Sequence, residues 1–453
     1  MVQNEETIVA QATPKGRGGV GIVRVSGFLA SSIATQILKK TPIAREAQFL
    51  SFWDGEEKID QGIALFFKAP HSFTGEDVLE LQGHGGPVIM DSLVNAALKA
   101  GARLAYPGEF SLRAFTNNKM DLLQAEAVAD LIDATSTTAA RFAMRSLQGD
   151  FSKVIHEIVD TLTRLRLFVE SAIDFPDEEI DFLNNEKINE KLDFLQAKLR
   201  DVQLKAQQGA LLREGIKVVI IGKPNAGKSS LLNALVGYDR AIVTDIPGTT
   251  RDVLREHISI DGLLVELIDT AGLRLHADAI EEEGIRRALK EASIADFIVF
   301  VVDKSITPDI DLNKLFPEWI EELPKNIPVI VLMNKIDALN LSPSIKTEEQ
   351  YTVINLSAKT GEGVSLFRDH LKKTAGFMDN PEGVFMARRR HLVALMQAII
   401  HVQDGKKQLI EMQALELLAE ELRQAQKVLG EITGKVSSDD LLGKIFAEFC
   451  IGK

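Results

Sequence analysis

Apolar positions fall into three textures along the chain. Through residues 1–118, short apolar runs such as Ile22-Val23-Arg24-Val25 and Val78-Leu79-Glu80-Leu81 stand among glycines, which predicts strands and turns with a few helices. From about residue 119, Leu122, Ala125, Ala129 and Ile132, then Leu162, Leu165, Leu167 and Val169, recur at spacings of two to four. Few breakers interrupt them before Pro176, so long helices are expected. Near Gly215 short β-branched runs begin to alternate with amphipathic segments. Strands are expected at 216–221, 263–268, 297–302, 328–333 and 352–355, an alternation that suits a parallel sheet with crossover helices. After about residue 378 helical periodicity returns. The simplest organisation is a helical domain interrupted by an inserted α/β domain, with the chain divided as 1–118, 119–213, 214–377 and 378–453.

Composition narrows the class. A chain of 453 residues with 45% hydrophobic content is ordinary for several globular domains. A formal net charge of −13 argues against broad electrostatic binding of nucleic acid, which needs clustered Lys and Arg. Arg388-Arg389-Arg390 with His391 is the clearest basic cluster, expected to be a solvated helix face. Cys450 is the single cysteine, so no intramolecular disulfide forms, in keeping with a reducing compartment. Its plain reading is a small buried hydrophobe, and Gly452 and Lys453 fit poorly in a prenylation box. The N-terminal MVQNEETIVA lacks a basic, apolar leader, and no apolar run reaches 18 residues. A soluble, cytoplasmic protein without a membrane span is expected. Gly16-Arg17-Gly18-Gly19-Val20-Gly21 has the glycines of a dinucleotide loop but is followed by extended residues, so a strand-to-strand turn is expected.

The chemistry concentrates in the inserted segment. Gly222-Lys223-Pro224-Asn225-Ala226-Gly227-Lys228-Ser229 matches G-x-x-x-x-G-K-[ST], between an expected strand and a helical run, Ser230–Leu235. Its glycines let successive N–H groups face phosphate oxygens, and the helix N-terminus adds a positive dipole end. Lys228 would neutralise phosphate charge and the Ser229 hydroxyl would ligate Mg²⁺. Asn334-Lys335-Ile336-Asp337 follows an apolar strand. The Asp337 carboxylate can accept from N1 and the exocyclic amine of guanine, a donor pair adenine lacks. Ser357-Ala358-Lys359 can support the guanine carbonyl through a backbone N–H. Asp269-Thr270-Ala271-Gly272 offers a strand-end carboxylate for the Mg²⁺ shell and a glycine amide for the γ-phosphate. Each tetrapeptide alone is a weak signal; together and in order they specify GTP.

Two usual parts are altered. Many small GTPases place Gln after D-x-x-G, but Leu273 stands here and cannot hold a water. Glu281-Glu282-Glu283 lies downstream, read from its residues alone as a charged first helical turn. Thr244-Asp245-Ile246-Pro247-Gly248-Thr249-Thr250 offers a threonine that could ligate Mg²⁺ and sense the γ-phosphate, though spacing does not say which. Asn225 could ligate a monovalent cation or simply hydrogen-bond within its loop.

GKPNAGKSS, TDIPGTTRD, DTAGLR, NKID and SAKTGEG resemble the TrmE/Era group of GTPases. IVAQATPKGRGGVGIVRVSG, SFTGEDVLELQGHGG, PGEFSLRAFTNNKMDLLQAEAVADLIDA and the terminal CIGK extend the resemblance over the whole chain to the MnmE/TrmE family of tRNA modification GTPases. The resemblance implies an N-terminal α/β folate-binding domain that dimerises, a discontinuous helical domain and an inserted Ras-like P-loop G domain. It implies a homodimer that, with the flavoprotein MnmG, adds a carboxymethylaminomethyl group at C5 of the wobble uridine of certain tRNAs. GTP hydrolysis is required, and a tetrahydrofolate derivative, 5-formyl or methylene, gives one carbon. By motif, GTP contacts fall on Asn225–Ser230, Thr244–Thr250, Asp269–Gly272, Asn334–Asp337 and Ser357–Lys359. These take in Ala226, Gly227, Lys228, Ser230, Asp245, Pro247, Gly248, Thr270, Ala271, Asn334, Lys335, Ile336, Ser357, Ala358 and Lys359. Mg²⁺ falls on Ser229 and Thr250, and K⁺ on Asn225 with backbone oxygens of Thr244, Ile246 and Thr249. The catalytic acid falls on Glu281, folate contacts on Arg24, Glu80, Lys119 and Lys453, and possible modification chemistry on Cys450. The rival expectation is an Era-like regulatory GTPase in ribosome assembly.

Overall fold

The computed structural model describes residues 6–134, 136–174, 185–238, 254–269, 289–308, 311–316, 323–324, 327–378, 383–435, 439–447, 449 and 452. Its contacts divide the chain into two compact units. One comprises residues 1–133, 144–199 and 394–453, the other residues 134–143 and 200–393.

In the first unit a six-stranded sheet has the order β3-β4-β5-β2-β1-β6. Its strands are β1 Ile8–Gln11, β2 Gly18–Ser26, β3 Gln48–Asp54, β4 Glu57–Phe67, β5 Val78–Gly85 and β6 Arg103–Leu104. All neighbours pair antiparallel except β1 with β6. Alternate residues Val23, Val25, Phe52, Ala64, Phe66, Leu79 and Leu81 pack against helices α1 (Ala30–Leu38) and α2 (Pro87–Lys99). That alternation is the period-2 pattern of strands that bury one face in a helix layer. Ile8, Ala10, Ala105 and Phe110 form a smaller apolar cluster. The glycine-rich stretch behaves differently from the expected turn: Gly18–Gly21 lie inside β2, with an irregular register between Gly18 and Gly21. The turn itself falls between Gln11 and Gly18. Gly21 and Gly85 allow the close strand and helix approach that a Cβ would block.

The same unit holds α3 Glu109–Thr116, α4 Leu122–Ile132 and α6 Asp150–Asp174, followed in the chain by α7 Asn185–Glu214. The division between units falls within α7, after Leu199, and also within α5, Thr137–Leu147. A capping box starts α4: Asp121 accepts from the Gln124 N–H while the Gln124 side chain accepts from the Asp121 N–H. Leu122 and Ala125 of α4 pack with Ile445, Phe446 and Phe449 near the end of the chain. The other C-terminal helices are α11 Arg389–Met412, α12 Leu415–Thr433 and α13 Asp439–Ala447. Gln426 of α12 bonds Arg166 and Thr163 of α6.

The second unit is a seven-stranded sheet, ordered β12-β13-β11-β10-β7-β9-β8. The strands expected from sequence appear as β7 Ile216–Gly222, β9 Leu263–Asp269, β10 Phe297–Asp303, β11 Val329–Asn334 and β13 Thr352–Asn355. These five pair in parallel. Both faces are covered, so alternate residues of one run enter different cores. Ile216, Val218 and Ile220 face a cluster with Leu231, Phe367 and Leu371, whereas Val219 and Ile221 join Phe300, Leu312 and Phe316. The helices concerned are α8 Lys228–Tyr238, α9 Leu312–Leu315 and α10 Val364–Thr374. Two antiparallel edge strands, β8 Leu254–Ile260 and β12 Ser344–Thr347, were not among the expected ones.

The basic cluster also departs from expectation. Arg388 and His391 are buried, and the His391 ring accepts from the Arg388 N–H at 3.0 Å, so only Arg389 presents an exposed face. The neighbouring run Val384–Ala387 is buried and lies so close to Gly209 of α7 that a Cβ there would collide with the Phe385 carbonyl.

Candidate functional site

The nucleotide motifs described by the structure follow the carboxyl ends of parallel strands, where open α/β sheets place their ligands. The phosphate loop leaves β7 at Gly222 and re-enters regular structure at Lys228, the first residue of α8. Positive φ at Asn225 (61°) and Gly227 (99°) turns the loop backbone into the nest conformation that aims N–H groups at an anion. Gly227 is doubly required, because a Cβ would meet the Asn334 amide. Lys228 is buried and its Nζ donates to the Gly222 carbonyl at 2.7 Å and the Lys223 carbonyl at 3.1 Å, which pins the amine along the loop. Asn225, Ser229 and Ser230 are exposed and Ala226 is buried.

Three of the motifs meet on one side chain. Asn334 Nδ2 donates to the Ala226 carbonyl at 2.9 Å, while its Oδ1 accepts from the Lys335 N–H at 2.8 Å and the Ala358 N–H at 2.9 Å. Asn334 is buried, so these bonds act away from water. Ser357, also buried, donates from Oγ to the Asp337 carboxylate at 2.7 Å. Lys335 adopts φ 66° before a short 3₁₀ turn, Ile336–Leu339, in which Ile336 is buried. Lys359 is exposed.

Sequence reasoning missed the residues beneath these loops. Asp303, last in β10, accepts from Lys335 Nζ at 2.6 Å, and Lys304 Nζ donates to Asn355 Oδ1 at 2.6 Å. Burial raises the Asp303 carboxyl, but hydrogen bonds from Lys335 and Ser305 outweigh it and hold the group below the usual carboxylate range. The available signal was a lone aspartate closing the apolar run FIVFVVD.

Of the candidate folate residues, Arg24, Glu80 and Lys119 lie in the first unit. Arg24 and Glu80 are register partners on β2 and β5, joined at 2.8 Å. The Arg24 guanidinium lies 5.6 Å from the Phe73 ring centre and 5.7 Å from that of Phe110, and Nη1 donates to the Gly452 carbonyl at 3.3 Å. Lys119 is exposed and donates to the Pro70 carbonyl at 2.9 Å. A largely buried network includes Glu109, the residue before Phe110: Arg113 bonds Glu76 and Glu109, and Ser26 donates to Glu76. This network, too, was not anticipated.

Of the remaining predicted residues, Asp269 ends β9. Thr244, Asp245, Ile246, Pro247, Gly248, Thr249, Thr250, Thr270, Ala271, Gly272, Glu281, Cys450 and Lys453 lie outside the described residues. No helix of the described residues is long and apolar enough to cross a membrane.

The phosphate loop, its parallel sheet and the convergent base-recognition motifs define a P-loop GTP-binding protein. The family described as MnmE helical domain matches residues 122–450, and that described as GTP-binding protein TrmE N-terminus matches residues 7–119. The chain belongs to the MnmE/TrmE family and is a GTP-hydrolysing enzyme of tRNA modification. Among solved structures it is similar to the G domain of the T. maritima FeoB iron transporter, at 27% identity over 35% of this chain and 98% of that one, TM-score 0.26. It is also similar to a point variant of Aquifex aeolicus Era bound to GDP and AlF₄⁻, at 24% identity over 41% of this chain and 66% of that one, TM-score 0.26. A GTP-binding protein of Sulfolobus solfataricus in complex with GDP matches at 18% identity over 64% and 77% of the two chains, TM-score 0.27.

Proposed function

We propose that the chain acts as a cytoplasmic homodimer which, with the flavoprotein MnmG, installs a carboxymethylaminomethyl group at C5 of the wobble uridine of certain tRNAs. In this reading the phosphate loop cradles the GTP phosphates, Lys228 neutralises them, and Asp337, supported by a backbone N–H of the Ser357–Lys359 loop, reads guanine. Ser229 and Thr250 hold Mg²⁺; Asn225 and the backbone of Thr244, Ile246 and Thr249 hold K⁺. Glu281 orients the attacking water in place of the missing glutamine.

The observation that carries the nucleotide part is the Asn334 hub, which ties the phosphate loop to both base-reading loops. A tetrahydrofolate derivative supplies the one-carbon unit when bound. Arg24, Glu80, Lys119 and Lys453 orient it, Arg24 and Lys119 offering cationic groups that suit a folate carboxylate. The support is the approach of the chain end to β2, where the Gly452 carbonyl reaches Arg24 one residue from Lys453. In the rival reading as a ribosome-assembly switch, the segments outside the G domain would serve RNA binding; the two family matches account for them instead.

The test is reconstitution with MnmG, tRNA, GTP and 5-formyl-tetrahydrofolate, reading modified uridine by mass spectrometry. Calorimetry should show the folate binding, and Arg24→Ala weakening it at least ~10-fold, the scale of a lost charged hydrogen bond. A parent protein that binds no folate would end this reading of the first unit.

A further inference from the structure

We infer that Asp303-Lys304, at the carboxyl end of β10, is a positioning clamp for the two base-reading loops and sets how strictly the site selects guanine. The inference rests on the reading of Asp337 as the guanine acceptor.

The clamp follows from register. In the parallel pair of β10 and β11, Asp303 stands opposite Asn334, so Lys335 leaves β11 directly beside it. The Lys304 N–H donates to the Asn334 carbonyl at 3.0 Å and continues the ladder one step beyond both strands. Asp303 then uses both carboxylate oxygens. Oδ2 accepts from Lys335 Nζ at 2.6 Å, and Oδ1 accepts from the Ser305 N–H at 3.0 Å and the Ser305 hydroxyl at 2.6 Å. With both oxygens held and only 12% of the side chain exposed, the carboxylate has little freedom to turn. Its bond to Lys335 is charge-assisted and partly shielded from water, which makes it one of the stronger contacts at this end of the sheet.

Lys304 works in the other direction. Its Nζ donates to Asn355 Oδ1 at 2.6 Å, and Asn355 Nδ2 donates onward to Ser344 Oγ at 2.8 Å. Asn355 closes β13 two residues before Ser357, and Lys335 precedes Asp337 by two. The adjacent residues 303 and 304 therefore hold one loop each, and those loops meet in the 2.7 Å bond from Ser357 to Asp337. Loosening either hold lets Asp337 drift, and a drifting acceptor rewards the guanine amine less. Discrimination should suffer along with affinity.

The measurement is the ratio of dissociation constants for GTP and inosine triphosphate, which lacks the exocyclic amine, by competition against a fluorescent GDP. The parent should prefer GTP by about 10–100-fold, the scale of one hydrogen bond to a charged group. Asp303→Asn should narrow the ratio to under about threefold, with Asp303→Glu restoring part of it. A merely structural role would weaken both nucleotides in proportion and leave the ratio alone. An unchanged ratio in Asp303→Asn therefore overturns the clamp; if that variant does not fold, Lys304→Met carries the same test with the same expected narrowing. Asp337→Ala in the parent separates the two readings. A ratio that survives there removes Asp337 from guanine recognition, whereas a collapsed ratio there beside intact ratios in the clamp variants overturns the clamp alone.

Discussion

A buried side-chain amide must satisfy its donors and acceptor, and Asn334 does so on three backbone segments at once. Removing it would leave the buried Ala358 N–H without its acceptor, at about 1–3 kcal/mol for such an orphan. Asp337 is a different kind of residue, half-buried and held by Ser357 with acceptor capacity left over. That spare capacity is what a base with two adjacent donors can use. Asp337→Asn should cost GTP affinity at least ~10-fold and favour xanthosine triphosphate, whose C2 carbonyl can accept from the new amide. Titration with both nucleotides decides it, and an undiminished preference for GTP would sink the assignment. The motif letters made Asn334 and Asp337 legible beforehand. Asp303 and Lys304 were not, because a charged pair after an apolar strand reads as an ordinary loop start until its partners are known.

Elements show the same contrast. The five parallel strands were visible as short β-branched runs, and the central pair, β10 and β11, most clearly, because residues on both of their faces enter cores and leave the apolar run unbroken. Edge strand β12 was not, since all four of its residues are exposed and carry no periodic signal. Strand β8 carries a fainter signal, alternating residues before Asp261-Gly262, a dipeptide suited to a tight hairpin. In the first unit, β6 and α3 are tied by charge. Glu109 accepts from Arg103 at 2.6 and 2.8 Å, from the Tyr106 N–H at 2.8 Å and from Arg113 at 2.9 Å. Burial raises the Glu109 carboxyl, but these donors, Arg103 foremost, bring it below its ordinary value of 4.5. A depressed carboxyl stabilises the fold fully above the unfolded value and loses that contribution as pH falls through the lower folded one. Urea melts of the parent should therefore weaken as pH drops below about 4.5, and Glu109→Gln should flatten that dependence. At pH 7 the same variant should lose about 2 kcal/mol, because Arg103 and Arg113 lose a shared anion while keeping Glu6 and Glu76. A pH profile unaltered by the substitution would remove Glu109 as its source.

At the scale of the whole molecule, the phosphate loop Gly222–Ser229 holds no arginine to serve as an arginine finger, a group that typically contributes ~10³–10⁵ in rate. Asn225, exposed on the phosphate loop with a left-handed backbone, can offer its carbonyl to a weakly hydrated cation. K⁺ should therefore stimulate GTP hydrolysis and promote pairing of G domains in a homodimer, and Na⁺ should substitute poorly. Asn225→Ala should abolish the stimulation. Rates at matched ionic strength, with association followed by light scattering, are the check; equal rates in the two salts would take the cation out of the mechanism. The sequence by itself determined the nucleotide motifs, the central strands around them and the helical texture of the flanks. Each of these is a local pattern, set by burial period or by loop chemistry within a few neighbouring residues. Tertiary structure alone decided which charges are buried and with whom. Arg388 and His391, taken for a solvated face, are interior; Arg113 joins Glu76 from 37 positions away; and the Gly452 carbonyl reaches Arg24 across 428. Such pairings depend on strand register and on where the chain returns, and a charged residue carries no mark of either until the backbone has been placed.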